Sequence, residues 1–189
     1  MGTIVVTEFV TLDGVMEAPG GEPTHRHTGW VGDFFGEQVG AYKLQEVLDA
    51  EAQLLGRVTY ESFAGAWPQR DDPEGFAAKM NAMPKYVVSS TLDTLEWNNS
   101  TLLEGDVVEA VTQLKAQVDG IILVAGSCTL VHTLIEHDLV DELRLMVFPV
   151  AIGSGLRVLP ETEKKTTLKL VHTAVLDDVV QVNHYRPAE

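Results

Sequence analysis

A chain of 189 residues with 45% apolar residues is long enough for one domain with a real core, and its composition is not that of a disordered segment. No apolar run approaches the roughly 20 residues of a membrane span, and a formal net charge of −15 argues against nucleic acid and anionic membrane surfaces, which are bound through basic groups. A single cysteine, Cys128, excludes an internal disulfide and a thiolate metal cluster. With no basic leader and no myristoylation pattern at the start, the chain reads as cytoplasmic.

Thr3 to Leu12 is rich in β-formers and reads as a first strand, closed by the turn signal Asp13-Gly14. Residues 17–29 are rich in Gly, Pro and His and read as a loop of a length that often carries function. His25 and His27 lack a ligand-spaced Cys or carboxylate and read as a solvated pair. The spacing of Val39, Leu44, Val47 and Leu48 predicts a helix over 36–51. A short strand over 52–56 follows, and a second helix starts at Arg57. Asp72-Pro73-Glu74 looks like a capped helix start, with that helix reaching about Met83.

Lys85 to Ser90 reads as the next long strand, and Thr101 to Leu103 as a short one. Asp106 with Glu109 resembles a capping box ahead of the amphipathic run Val107, Val108, Val111, Leu114, Val118. Ile121 to Ala125 reads as a strand buried on both faces. Gly126 and Ser127 interrupt it, and a helix with Leu130, Val131, Leu134 and Ile135 on one side begins at Cys128. Asp141 to Ile152 reads as a long strand in which Pro149 marks an edge or a bulge, ahead of a turn at Gly153-Ser-Gly155. Thr167 to Leu176 and Val179 to Arg186 alternate across Asp177-Asp178 as a β-hairpin. The count is about eight strands and four or five helices in one α/β domain over 1–189. Alternation in the first two thirds argues a parallel sheet, and the hairpin an antiparallel edge.

Three strand ends carry residues suited to an anionic ligand: Gly56-Arg57-Val58-Thr59, Ser89-Ser90-Thr91 and Gly126-Ser127-Cys128-Thr129. Two of them lead into helices, whose first N–H groups and positive end favour phosphate. Gly126 lets backbone approach a ligand, and Ser127 is either a helix cap or a phosphate donor. Cys128 is either a thiol with a lowered pKa or a small hydrophobe. No G-x-G-x-x-G follows the first strand, and no Walker A or G-x-S-x-G occurs. The three ends together suit a dinucleotide pyrophosphate plus a further phosphate.

Val-Thr-Leu-Asp-Gly-Val15, Leu-Leu-Gly-Arg-Val-Thr-Tyr60, Val-Ala-Gly-Ser-Cys-Thr-Leu130, Leu-Val-Asp-Glu-Leu-Arg-Leu145 and Pro149-Val-Ala-Ile-Gly-Ser-Gly155 occur in the order typical of one family. The chain resembles the dihydrofolate-reductase-like family, in the branch of the riboflavin-biosynthesis RibD C-terminal reductase domain. The resemblance implies a mostly parallel central sheet with a C-terminal antiparallel hairpin and helices on both faces. It implies NADPH as cofactor and a small heterocyclic substrate, a ribosylamino-pyrimidine or a pterin. On it, Gly56, Arg57, Val58 and Thr59 would hold cofactor phosphates, and Ser89, Ser90 and Thr91 would lie by the adenosine ribose. Ala125, Gly126, Ser127, Cys128 and Thr129 would meet the pyrophosphate. The substrate would sit among Asp13, Gly14, Trp30, Phe34, Pro149 and Gly153. Relatives often dimerise, which implies a homodimer.

Two departures from the family pattern stand in the sequence. Ala125 occupies the first position of the usual Gly-Gly pair, and Asp33 and Glu37 give no clean match to the substrate carboxylate of dihydrofolate reductases. Arg26, Lys43 and Arg157 are the nearby cations, without a motif position. A reduced C=N bond needs a proton as well as hydride. Asp13 at a strand end is the first candidate for its delivery, against the plainer role of a turn carboxylate. Trp30, Phe34, Tyr60, Phe63 and Trp67 are candidates to stack a heterocycle or to fill the core. A non-catalytic nucleotide-binding protein on the same fold, and an unrelated α/β protein with a small anionic ligand, are the competing readings.

Overall fold

Strand β1 (Thr3–Thr11) buries nearly every side chain, because both its faces are covered. Ile4, Val6 and Val10 pack on one side of the sheet, and Val5 on the other. The computed structural model describes residues 1–188. Its elements after β1 are a 3-10 turn (Gly32–Phe34), α1 (Glu37–Asp49), β2 (Ala50–Gly56), α2 (Arg57–Ala66), α3 (Phe76–Ala82), β3 (Lys85–Val88) and β4 (Ser100–Leu103). Then follow α4 (Val107–Gln117), β5 (Ile121–Ala125), α5 (Cys128–Glu136), β6 (Glu142–Phe148), β7 (Leu168–Leu176) and β8 (Val180–Pro187).

The eight strands form one sheet in the order β4-β3-β2-β5-β1-β6-β8-β7. All pairs from β4 to β6 are parallel, and β6–β8 and β8–β7 are antiparallel. Val111 and Leu114 of α4 and Leu130, Val131 and Leu134 of α5 cover one face. Val47, Tyr60 and Met80, from α1, α2 and α3, cover the other. The α/β sandwich expected from the sequence is present, with its hairpin. Asp177 and Asp178 both lie at positive φ (50° and 58°), the geometry of a two-residue turn between twisted strands. The Asp177 carboxylate also accepts from the backbone N–H of Gln38 and Val39, capping α1. Among the described residues, no helix is long and apolar enough to cross a membrane.

Three elements differ from expectation. The helix expected from Asp72 begins only at Phe76, because Gly75 turns left-handed (φ 87°); Asp72 caps it from a distance, accepting from Phe76 and Ala77 N–H at 2.8 and 2.6 Å. The strand expected to run to Ile152 ends at Phe148, and β6 lies inside the sheet between β1 and β8, so Pro149 ends a strand and marks no edge. On α1, Leu48 of the expected apolar stripe is 44% exposed, whereas Glu46 is 3% exposed and buried beside Val47.

What positions a site is the way β5 leaves its neighbours. β1 pairs with β6 as far as Thr11 but with β5 only as far as Thr7↔Ala125. β2 pairs with β5 only to Gln53↔Leu123. The sheet therefore splits on both sides of the carboxyl end of β5, where the chain crosses between the two halves of the sheet. In open α/β sheets such a point opens a crevice for ligands.

Candidate functional site

The turn from β5 into α5 forms the floor of that crevice. Gly126 (φ 64°) and Ser127 (φ 61°) are left-handed in succession, which bends the chain sharply and points the start of α5 inward. The expected Ser127 side-chain cap is absent. Ser127 Oγ instead accepts from Gly56 N–H at 3.0 Å, and Thr59 Oγ1 accepts from Ser127 N–H at 2.8 Å. These two bonds lace the β2–α2 turn to the β5–α5 turn. The first bonded N–H of α5 is that of Val131, which donates to Ser127 O, so the N–H groups of Cys128 and Thr129 precede it as open donors.

The crevice has a volume of about 1880 Å3, above the roughly 300–1,000 Å3 of a pocket for one small molecule. Gly56, Arg57, Val58 and Thr59, Ser89, Ser90 and Thr91, and Ala125, Gly126, Ser127, Cys128 and Thr129 all line it, so the three strand ends share one wall. Arg57 is half exposed and pairs with Glu61 at 2.9 Å. Ser89 Oγ accepts from the N–H groups of Thr91 and Leu92, which folds that strand end into a compact turn. Met16 to Thr24, the first half of the Gly- and Pro-rich loop, also line it. Thr7, Phe9, Phe35, Lys43, Gln53 and Phe63 line it as well.

The residues expected to touch the substrate lie elsewhere. Asp13, Gly14, Trp30, Phe34, Pro149 and Gly153 do not line the crevice. Asp13 is a clasp: its carboxylate accepts from Thr11 Oγ1 at 2.6 Å, from Gly153 N–H at 2.8 Å and from Ile152 N–H at 3.3 Å. The Thr11 hydroxyl and the Gly153 N–H hold it below the usual carboxylate range, the setting of a turn carboxylate that accepts hydrogen bonds. Trp30 and Phe34 pack edge-on against Phe148 at 5.5 and 6.2 Å, inside the core. Of their neighbours, Phe35 lines the crevice, and Val31 both borders it and belongs to the same core.

Of the other aromatic candidates, Tyr60 is buried and its hydroxyl accepts from Trp97 N–H, whereas Phe63 and Trp67 reach the crevice. Burial pushes the Cys128 thiol up to about 11, with Glu8 and Glu17 adding to the effect, which favours the small hydrophobe over a thiol of lowered pKa. The rings of His25 and His27 lie tilted to one another at 5.7 Å, and among the described residues no group of His, Cys, Asp and Glu is arranged to hold a metal.

Two further groups stand in the crevice: Lys43, a cation without a motif position in the sequence, and Glu8, which the sequence reading left unassigned. Lys43 is held by Glu46 at 2.6 Å and by Thr7 Oγ1 at 3.0 Å. Glu8 is 5% exposed at the point where β1 leaves β5, and its Oε2 accepts from Gly126 N–H at 3.0 Å. Its signal was in the sequence: a carboxylate amid Ile4-Val5-Val6 and Phe9-Val10, in a strand covered on both faces.

Sheet order, hairpin and split crevice define a dihydrofolate-reductase-like fold. The profile of the RibD C-terminal domain matches residues 2–182, and the chain belongs to that family. It is 27% identical over 186 residues to the uncharacterized protein YyaP of Bacillus subtilis (strain 168), covering 96% of this chain and 94% of that one. A crystal structure of a Shewanella sp. PV-4 protein, linked by its name to riboflavin biosynthesis, aligns over 99% of both chains with a TM-score of 0.71 at 18% identity. The dihydrofolate reductase of Enterococcus faecalis, crystallised with NADP(H), aligns over 99% of this chain and 97% of its own with a TM-score of 0.62 at 17% identity.

Proposed function

We propose that this protein is an NADPH-dependent reductase that transfers hydride to a small heterocycle of the ribosylamino-pyrimidine or pterin type. The observation that carries the reading is the meeting of three strand ends on one wall of a crevice large enough for a dinucleotide and a second ligand. The residues present suit such a cofactor. A Cβ at Gly126 would reach Thr59 Oγ1 at 3.0 Å, so the turn keeps backbone open to the crevice only with glycine there. The open N–H groups of Cys128 and Thr129 suit the pyrophosphate, and Arg57 with Ser89, Ser90 and Thr91 suits the adenosine end and its extra phosphate. The relative crystallised with NADP(H) and the family membership support the same cofactor.

When bound, the cofactor supplies the hydride. The chain's part is to orient the two ligands and exclude water. Phe9, Phe35 and Phe63 offer the heterocycle apolar and aromatic surface, and Lys43 offers a fixed positive charge beside it.

Titration of the purified protein with NADPH and NADH is expected to give the tighter binding for NADPH, followed by nucleotide fluorescence. Arg57→Ala is expected to weaken NADPH by about tenfold and NADH less, the loss of one charge-assisted contact. Binding of neither nucleotide below millimolar concentration would overturn the reading, and equal losses in Arg57→Ala would remove Arg57 from the phosphate site. Oxidation of bound NADPH on adding a panel of pterins and ribosylamino-pyrimidines separates a reductase from a protein that only binds the nucleotide.

The same reading includes a homodimer. β7 is an edge strand of nine residues whose Leu170, Val171 and Val175 are 49%, 41% and 61% exposed, an apolar edge that a second copy would cover. Light scattering at micromolar concentration is expected to give twice the chain mass, and a monomeric mass would rule the dimer out.

A further inference from the structure

Glu8 has a neighbour for one of its oxygens only. Oε2 accepts from Gly126 N–H at 3.0 Å, while Oε1 is shut off from solvent and has no hydrogen-bond partner. Glu8 is nevertheless one of the residues that line the crevice. It is the first residue of β1 beyond the split from β5, and Gly126 is the first residue beyond β5, so this contact spans the mouth of the split.

Nothing nearby neutralises a charge on Glu8. The charged and titratable groups facing it are Lys43 and Glu46 of α1 and Cys128 of α5. The β6 residue paired with it, Leu145, is apolar. Lys43 is the single cation among these, and it is already committed to Glu46 Oε2 at 2.6 Å and to Thr7 Oγ1 at 3.0 Å. A buried carboxylate without a counterion takes up a proton rather than bear the desolvation of its charge. Burial, which outweighs the Gly126 N–H and Lys43, accordingly drives the Glu8 carboxyl well above the usual range. In the neutral acid, Oε2 is the carbonyl oxygen that serves Gly126, and Oε1 carries a hydrogen for which the chain provides no acceptor. An orphan buried donor is costly unless a ligand completes it.

We propose that Glu8 is a neutral acid whose Oε1–H, once binding displaces the groups that cover it, donates to an oxygen acceptor of the nucleotide bound at the β1–β5 split, making Glu8 a residue that positions the cofactor. The inference rests on the NADPH reading for the identity of the ligand. Its location favours the cofactor over the substrate, because its one partner belongs to the turn that leads into α5. Ionisation of Glu8 would remove the donor and set a negative charge beside the cofactor phosphates, so nucleotide affinity must fall as pH rises through its titration.

The test is the dissociation constant of NADPH from pH 5.5 to 9.5 for the wild type, Glu8→Gln and Glu8→Ala. For the wild type the affinity is expected to fall by about tenfold per pH unit above the Glu8 titration, the slope of one linked proton. Glu8→Gln keeps a carbonyl for Gly126 and a donor for the ligand without a titrating proton. It is expected to bind within about threefold of the wild type at low pH, with that slope removed, whereas Glu8→Ala loses about tenfold at low pH. The same alkaline slope in Glu8→Gln as in the wild type would overturn the proposal. Failure of the wild type to bind NADPH at any pH would instead overturn the cofactor reading. The proton on Glu8 is read independently, as a protonated-carboxyl band in the infrared spectrum of the free protein at neutral pH that Glu8→Gln abolishes. A spectrum without that band would overturn the proposal.

Discussion

Gly126→Ala is expected to lower the stability of the protein by about 2–3 kcal/mol and to weaken NADPH binding by more than tenfold. Two costs combine. Gly126 sits at φ 64°, where a side chain strains the backbone by roughly 1–2 kcal/mol. The new Cβ would also stand 3.0 Å from Thr59 Oγ1 and 3.3 Å from Thr59 Cγ2. Thr59 cannot yield freely, because the same hydroxyl oxygen accepts from Ser127 N–H at 2.8 Å. Relief of the contact therefore loosens the bond that laces the α2 and α5 turns, and with it the aim of the open N–H groups. For a domain of this size the loss corresponds to a fall in Tm of roughly 5–10 °C. Gly75→Ala is the control. Gly75 is also left-handed, at φ 87°, but has nothing within 4 Å of the added carbon and lies outside the crevice. It carries the backbone strain without the contact and is expected to leave NADPH binding unchanged. If the two variants lose equal stability and bind NADPH alike, the crowding at Thr59 has no consequence and the cradle is not built on Gly126.

The contrast between the two walls of the crevice shows which parts of a site a sequence exposes. The cofactor-side wall is local chemistry. Five apolar residues between Gly120 and Gly126 define a strand, and the change of period at Cys128 defines the helix after it, with the observed bounds. Which N–H groups are open then follows from where a helix starts. The substrate side depends on packing between distant segments. Trp30, Val31, Phe34 and Phe35 surround a 3-10 turn of three residues, too short for its apolar spacing to say which of them point inward. The core around Phe148 takes Trp30 and Val31, with Phe34 packed against it, and the crevice is lined by Phe35 and the edge of Val31. Asp13 was drawn to Gly153 by a contact 140 positions along the chain, which no local pattern announces.

Buried charge was the least legible feature. Lys85 reads as the first residue of a strand, yet it is fully buried, donates to the carbonyls of Asn81, Met83 and Asn98, and lies 4.3 Å over the Trp97 ring. Glu8 and Glu46 share this character. Each is tolerated because partners from other elements, or a proton, remove the cost of the bare charge.

Glu46→Ala is expected to destabilise the protein by about 3–5 kcal/mol, the largest loss for any single side chain of α1. Its carboxylate accepts from Thr7 Oγ1 at 2.9 Å, Lys43 Nζ at 2.6 Å, Tyr42 OH at 3.2 Å and Arg144 Nη1 at 3.2 Å. Arg144 continues to Glu142, which also holds Arg186. Removal of Glu46 leaves Lys43 buried without an anion and Arg144 with Glu142 alone, which is why truncating one member costs more than the whole cluster contributes. Replacement of the cluster by apolar residues, as in Glu46→Met with Lys43→Met and Arg144→Leu, is accordingly expected to cost less than Glu46→Ala alone. The pH dependence has a definite sign. Burial alone would raise the Glu46 pKa, but Lys43, Arg144 and Thr7 outweigh it and hold the group below its ordinary value of 4.5. The unfolded chain then binds the extra proton first, so this stability is present above pH 4.5 and is lost as the pH falls through the folded-state value. Glu8 acts in the opposite sense. Its raised pKa gives a contribution that is complete below pH 4.5 and declines as the pH rises toward the folded-state value. Denaturant titrations across pH should therefore show an acid limb that Glu46→Gln flattens and a higher limb that Glu8→Gln flattens. An acid limb unchanged in Glu46→Gln would mean that Glu142 and the surface carboxylates carry it, and that Glu46 is held by packing rather than by charge.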